Sequence, residues 1–414
     1  MGLELPTVSA VVARLPAATV SLAAYGGVVM PLSLLIEAPI IMLLAASTAL
    51  ARDLPSYRVG SRFMWIAGLS LTALHVLIAF TPLYDLVVVG LLRPPPEVVE
   101  PARLGLRIMT PWTMAIAYRR YQQGVLIRFG RSRAVSVGTA VRLGTIALTL
   151  AVGAALSTAL GLPAVAVGAS ATALGVIAEA AFAWFAVRPL LAGPVRVARN
   201  DGRPLDIQRF LQFYVPLSLT PLIMFAAMPL STAAMGRMPS PLESLAAWPA
   251  INGLVLAVRS TGFALNEVVV SLLDRPGAAA VLQRFARHVA MTTGLLLLAL
   301  AATPLGALWI GGVSGLTGVP AALAITGLWF ALPIPASTAF QSFHQGAIVH
   351  GRATRHVTES VIILLGTILV VLGAGIAFGR MPGLHVALAA AALGNLAQLA
   401  WLARRSRDVL ARAA

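Results

Sequence analysis

The sequence predicts an all-α polytopic membrane protein of two six-helix lobes, and three observations carry that prediction. The 414-residue chain is 59% hydrophobic and only 11% charged, with a mean hydropathy of +0.89. A soluble domain carries about 25% charged residues, so apolar surface on this scale needs lipid. Apolar stretches of about 20 residues, long enough to cross a bilayer, recur along the whole chain. The chain also repeats itself. ARLPAATVSLAAY (13–25) returns as GRMPSPLESLAAW (236–248), matching Arg14 to Arg237, Pro16 to Pro239 and Ser21–Ala24 to Ser244–Ala247, 223 residues apart. YQQGVLIRFGRSRAV (121–135) returns as FHQGAIVHGRATRHV (343–357), pairing Gln123-Gly124 with Gln345-Gly346 at 222 and Gly130-Arg131 with Gly351-Arg352 at 221. Long internal repeats in a membrane protein mark transporter architecture, with the substrate path between the repeats.

The spans follow in order at 18–50, 63–81, 105–122, 134–158 and 163–187, then 209–234, 243–273, 285–305, 320–343, 357–378 and 383–403. The repeat supplies the twelfth. The second copy has a full helix before Arg237, whereas the first has thirteen residues before Arg14. The first helix therefore reads as cut roughly in half, either by a displaced start site or natively. A helix that short does not satisfy its backbone across hydrocarbon without neighbours or water. The expected division is an N-terminal lobe at 1–190, a cytoplasmic linker at 191–208 and a C-terminal lobe at 209–414.

Arginine placement gives the orientation. Arg52, Arg58 and Arg62 follow span 2. Arg119, Arg120, Arg128, Arg131 and Arg133 surround the link after span 4, and Arg188, Arg196, Arg199, Arg203 and Arg209 the link after span 6. Arg275, Arg284 and Arg287 follow span 8, Arg352 and Arg355 follow span 10, and Arg404, Arg405, Arg407 and Arg412 close the chain. That is 22 arginines on one side, against Arg14, Arg93, Arg103, Arg107, Arg237 and Arg380 on the other. The positive-inside rule then puts both termini in the cytoplasm, for a multi-pass protein of the inner (plasma) membrane. Six spans per repeat start both repeats on the same side, as parallel repeats about a pseudo-two-fold axis along the membrane normal.

Composition excludes several classes. There is no cysteine, hence no disulfide or thiolate metal site. There is also no lysine, and a Walker A loop needs its lysine to reach nucleotide phosphates. The net charge of +16 is explained by arginines in short loops between apolar spans, so no nucleic-acid partner is expected. The six histidines show no metal-ligand spacing. A membrane-embedded enzyme needs clustered His, Asp or Glu, and none is evident. The expectation is a non-enzyme without cofactor or metal.

Charges at bilayer depth are functional candidates by default. Glu37 lies near the middle of helix 2 and Arg259 near the middle of helix 8, one residue apart in the repeat alignment. They are expected to line a central cleft, as an ion pair in one state or as separate substrate contacts; the alternative is a static pair. Glu179 in helix 6 and Glu267 in helix 8 either bind a coupling proton or sodium ion or pair near the interface. Arg142 in helix 5 is either an anion contact or the partner of a carboxylate such as Glu179. Glu359, one turn into helix 11, suits the helix macrodipole. Pro39 corresponds to Gly262, and Pro111 to Pro333; helix breaks at matched positions fit hinges of alternating access, or else passive bending. Gln123, Gly124, Gly130 and Arg131, with Gln345, Gly346, Gly351 and Arg352, are expected in tight helix-to-helix turns.

The chain resembles the MATE-like superfamily of exporters and flippases, also called the multidrug/oligosaccharidyl-lipid/polysaccharide (MOP) superfamily. FYVPLSLTPLIMFAAMPLSTAAMGR (213–237) is similar to the opening helix of a lobe. ALPIPASTAFQSFHQGAIVHGRATRHVTESVI (331–362) and its copy from Pro111 resemble the fourth-to-fifth helix segment, and GFALNEVVVSLLD (262–274) resembles the progressive ankylosis (ANK) branch. The resemblance implies a monomeric secondary transporter that rocks two lobes around a cavity and takes a small organic or anionic solute. The alternatives are a flippase of a lipid-linked saccharide and a non-transporting membrane scaffold.

Overall fold

The structure is a computed structural model and describes residues 4–198, 204–351, 353 and 355–412. Arg199, Arg203 and Arg352, expected on the arginine-rich side, lie outside the described residues. The helices that correspond to the expected spans are α1 (Glu4–Val12), α2 (Ala18–Leu50), α3 (Leu54–Phe80), α4 (Pro96–Arg128), α5 (Ser132–Leu160), α6 (Ala164–Ala192), α7 (Ile207–Met235), α8 (Pro241–Leu272), α9 (Ala278–Ala302), α10 (Gly318–Ala331 with Pro333–His350), α11 (Arg355–Phe378) and α12 (Gly383–Arg405). Among the described residues no strand occurs. Among the described residues nine helices are long and apolar enough to cross a membrane, or ten if the two halves of α10, bent by 40°, count as one span. The protein is a multi-pass membrane protein.

Local chemistry sets the ends. Asp53 caps α3, accepting from Ser56 N at 2.9 Å while its own N–H donates to Ser56 Oγ at 3.0 Å, a reciprocal capping box followed by proline. α5 stops at Gly161, whose φ of 67° closes the helix on Ser157 O, and Pro163 then starts α6. α2 and α6 are mostly buried, and α6 presents a run of Ala and Gly that lets neighbouring backbones approach closely. The outer faces of α3, α5, α9 and α11 carry Ile66, Leu148, Leu295 and Val370 fully in the open, as a lipid-facing surface requires.

The repeat reappears as geometry. Ala17 and Ser240, at the same repeat position, are both left-handed with φ of 53°. Arg14 and Arg237 both fold back onto the carbonyl four residues earlier, each at 2.5 Å. Thr81-Pro82-Leu83 and Thr303-Pro304-Leu305 end α3 and α9 alike: each threonine hydroxyl donates to the carbonyl four residues back and accepts from the N–H two residues on. A π-helical segment then follows in each copy, Asp85–Leu92 and Leu308–Val313.

The chain divides into two compact units. The first comprises residues 15–92 and 96–229, the second residues 1–14, 93–95 and 230–414. These boundaries differ from the consecutive lobes expected at 1–190 and 209–414. The beginning of the chain belongs to the second unit because Pro6 of α1 lies directly on Gly253 of α8, and Arg14 donates to Val313 O at 3.1 Å and also to Gly312 O. Most of α7 belongs to the first unit, where Tyr214 Oη donates to Pro39 O at 2.5 Å and the Phe210 and Tyr214 rings pack on Phe63.

Candidate functional site

A buried charge cluster occupies the first unit. Glu179 of α6 is 1% exposed, Arg119 of α4 2%, Arg142 of α5 3%, and Glu37 of α2 3%. Arg119 Nη1 lies 3.1 Å and Arg142 Nε 3.5 Å from Glu179 Oε2. Gln123 Nε2 donates to Glu179 Oε1 at 2.8 Å, and Thr139 Oγ1 donates to the same oxygen at 3.5 Å. The carboxylate thus faces two guanidiniums, an amide and a hydroxyl. Arg120, half-buried beside Arg119, interacts electrostatically with Glu37, Glu179 and Arg142. Three arginines against two glutamates leave the cluster one charge positive. Isolated charges do not persist at such burial without partners.

Helix geometry puts the cluster deep. Counted along their helices at 1.5 Å per residue, Arg119 and Arg142 lie roughly 14–15 Å, and Glu37 and Glu179 roughly 20 Å, from the helix ends on the arginine-rich side. Each of these residues therefore lies well inside its helix rather than at its end.

Glu37 also stands at a break. α2 is interrupted by a 3-10 turn, Ala38–Ile40, and Glu37 is the residue that caps it. Pro39 has no N–H to continue the helix, and its carbonyl accepts from Tyr214. Earlier in α2 a π-helical segment, Ala23–Val29, is wholly buried, with Tyr25 Oη bonded to Thr172 Oγ1 at 2.6 Å. Such segments cluster at functional sites.

The other expected residues are scattered. Arg259 of α8 belongs to the second unit. Its guanidinium sits 5.0 Å over the Phe263 ring, with no carboxylate partner in that unit among the described residues. Glu267 is exposed, and among the described residues it makes no ion pair or hydrogen bond. Glu359 pairs with Arg355 at 3.0 Å and His356 at 2.9 Å, at the start of α11. Of the matched breaks, Pro333 follows the 40° bend in α10, and α8 is interrupted at Ala264, two residues after Gly262. Pro111 lies inside α4, which continues through it. The carbonyl its missing N–H leaves over, Arg107 O, accepts from Thr110 Oγ1 at 2.8 Å.

Two further findings concern the link after α4. Arg119 and Arg120, counted among the arginines that surround it, lie inside the helix and belong to the cluster. Gly124 and Gly346 are not turn residues. Gly124 packs against Ser47 and the Leu44 carbonyl of α2, and Gly346 against Val269 and the Asn266 carbonyl of α8, with no room for a Cβ at either. Gly130, with φ of 72°, and Arg131 do lie in the turn after α4, and Gly351 lies just past the end of α10. One signal for Arg119 and Arg120 was present: the apolar run GVLI continues after them, so the helix does not end there.

Among the described residues the second unit has no matching charge cluster. Gln341 stands where the repeat puts Arg119, 222 residues on. It donates to Asn395 O at 2.7 Å and Asn395 Oδ1 at 3.2 Å, while Gln398 donates to Ser360 Oγ at 3.2 Å. All four residues are buried.

No family model and no curated protein matches the sequence. Solved structures do match. The chain is similar to a multidrug resistance MATE family transporter of the MOP superfamily in an inward-facing conformation, with TM-score 0.73 and 15% identity over 99% of this chain and 95% of that one. It is similar to the lipid II flippase MurJ in an inward closed conformation, with TM-score 0.64 and 14% identity over 100% and 88%. It is also similar to a MOP superfamily transporter from Pyrococcus furiosus, described as having a binding pocket of reversed polarity, with TM-score 0.57 and 16% identity over 99% and 95%. The chain has the fold of these MATE-like transporters over its full length.

Proposed function

We propose that the chain is a secondary active transporter that works by alternating access and takes an anionic solute. The carrying observation is the buried cluster of Glu37, Arg119, Arg120, Arg142 and Glu179, which holds more positive than negative charge well inside its helices, beside a broken one. Intramembrane charges mark substrate and ion pathways, and full-length likeness to transporters supports the same reading. Arg142 and Arg119 are the anion contacts of this proposal, and Glu37 and Arg259 line the path. Glu179 or Glu267 takes the coupling proton or sodium ion. Pro39, Gly262 and Pro333 are the hinges, and Pro111 is left out because its helix is continuous. With Arg119 and Arg120 withdrawn into the cluster, the remaining arginines still concentrate on the side of both termini. That supports cytoplasmic termini in the inner membrane. A monomer satisfies the proposal.

A second reading is a flippase for a lipid-linked saccharide. It is favoured by the MurJ likeness and by guanidiniums that suit a diphosphate.

The test is uptake into proteoliposomes under imposed proton or sodium gradients, comparing small polyanions, lipid-linked sugars and cationic drugs. The expected result is gradient-driven accumulation of a polyanion that is lost in Glu37→Gln and in Arg259→Gln. If both variants leave transport and its pH dependence unchanged, these two residues do not line the path. Transport of cations alone sinks the anion reading.

A further inference from the structure

The last helix of each repeat ends on the same short motif. Ala183-Trp184-Phe185-Ala186-Val187-Arg188 lies near the end of α6, and Ala400-Trp401-Leu402-Ala403-Arg404-Arg405 closes α12. The tryptophans and the final arginines are each 217 residues apart. A spacing of four puts the arginine one turn beyond the tryptophan on the same helix face. In both units the guanidinium lies over the indole, Arg188 Cζ at 3.7 Å and Arg405 Cζ at 4.4 Å from the ring centroid. Both arginines are exposed, and among the described residues neither has a hydrogen bond or ion pair.

We propose that each Trp–Arg pair is a seat for the phosphate of an anionic phospholipid, in the leaflet on the arginine-rich side. The ring face holds the cation and fixes a long, flexible side chain at little further entropic cost. Its in-plane N–H fork stays outward, in the geometry that matches a phosphate bidentately. Tryptophan sits by preference at headgroup depth, and an anionic lipid surface attracts each such arginine before any specific contact.

What distinguishes a lipid from free phosphate is the apolar surface alongside. Phe185, 61% exposed, packs edge-on to Trp184 at 4.6 Å. On α12, Leu393, about two turns before Trp401, is 48% exposed. Acyl chains fit such surface, and inorganic phosphate gains nothing from it. The site is independent of the charge cluster, because the second unit has the pair without the cluster.

The test uses the full-length protein purified in detergent. Its thermal unfolding is followed during titration with phosphatidylglycerol, phosphatidylcholine or inorganic phosphate, and native mass spectrometry counts retained lipid. Phosphatidylglycerol is expected to raise the unfolding temperature saturably, with two molecules retained, while the other two ligands have no such effect. Arg188→Gln and Arg405→Gln each lose one retained lipid, and the double variant raises the half-saturating concentration at least tenfold. Both arginines are exposed, so the lipid-free unfolding temperature stays at the wild-type value. Trp184→Leu with Trp401→Leu weakens binding several-fold while keeping the charges. Wild-type phosphatidylglycerol binding by the double arginine variant, equal retention of phosphatidylcholine, or the full shift with inorganic phosphate alone overturns the proposal.

Discussion

Glu179 shows what a single buried carboxylate controls. Its two oxygens face Arg119, Arg142, Gln123 and Thr139, so removing it takes a carboxylate away from two buried guanidiniums. Breaking a buried pair from one side costs about 3–5 kcal/mol. Glu179→Ala is therefore expected to lower the thermal unfolding temperature of the purified protein sharply. Glu179→Gln keeps an acceptor for Gln123 and Thr139 and is expected to fall between Ala and wild type. A Glu179→Ala shift no larger than that of an exposed Leu148→Ala control contradicts the ion-pair account. The sequence made Glu179 and Arg142 visible, since each is an isolated charge in an apolar run, and it offered their pairing as one of two readings. Arg119 was hidden by its surroundings: next to Arg120 and close to further arginines, it was counted with the charges that flank the following link rather than as a buried charge. Its placement depends on where α4 ends, and boundaries are the least legible feature of a helix.

Among elements, the glycines of the repeated Gln-Gly pairs matter more than the turns they were expected to form. Gly124 lets α4 touch the Leu44 carbonyl of α2, and Gly346 lets α10 touch the Asn266 carbonyl of α8. Gly124→Val and Gly346→Val are each expected to destabilise by about 1–3 kcal/mol through overpacking, measured as a drop in unfolding temperature. Gly144→Val, where nothing crowds the Cβ position, is the control and moves little. The repeat spacing showed that the two glycines are equivalent. It could not show what they touch, because close approach is a property of the partner helix. Pro111 teaches the converse. A proline in mid-helix reads as a break, yet the Thr110 hydroxyl occupies the carbonyl it leaves over. Thr110→Val strands that carbonyl, at a cost of about 1 kcal/mol. Its effect should be seen in hydrogen exchange of α4 around Arg107 rather than as global unfolding; unchanged exchange there shows that the threonine does not support the helix.

For the whole molecule, the informative contrast is between two copies that share backbone devices and differ in charge. Left-handed Ala17 and Ser240, the threonine-proline ends of α3 and α9, and the π segments after them are local features that duplication copies unchanged. Arg119 answering to Gln341 is a change of chemistry at one shared position. The repeat made the fold legible for that reason, whereas the assignment of α1 and α7 to units depended on contacts distant in sequence, such as Pro6 on Gly253 and Tyr214 on Pro39. The surplus positive charge of the first unit then makes a prediction about sign. Arg120 is half-buried and interacts electrostatically with Glu37 and Glu179. Arg120→Gln brings the cluster to neutrality and keeps a hydrogen-bond donor at that position. A unit charge about 6 Å from a bound anion contributes about 3 kcal/mol at an effective dielectric of 20, more than a tenfold change in affinity. In proteoliposomes the variant is expected to need at least tenfold more polyanion for half-maximal uptake, with its unfolding temperature measured alongside. Unchanged uptake at unchanged stability means that the surplus charge does not face the substrate and that the cluster only ties the first unit together.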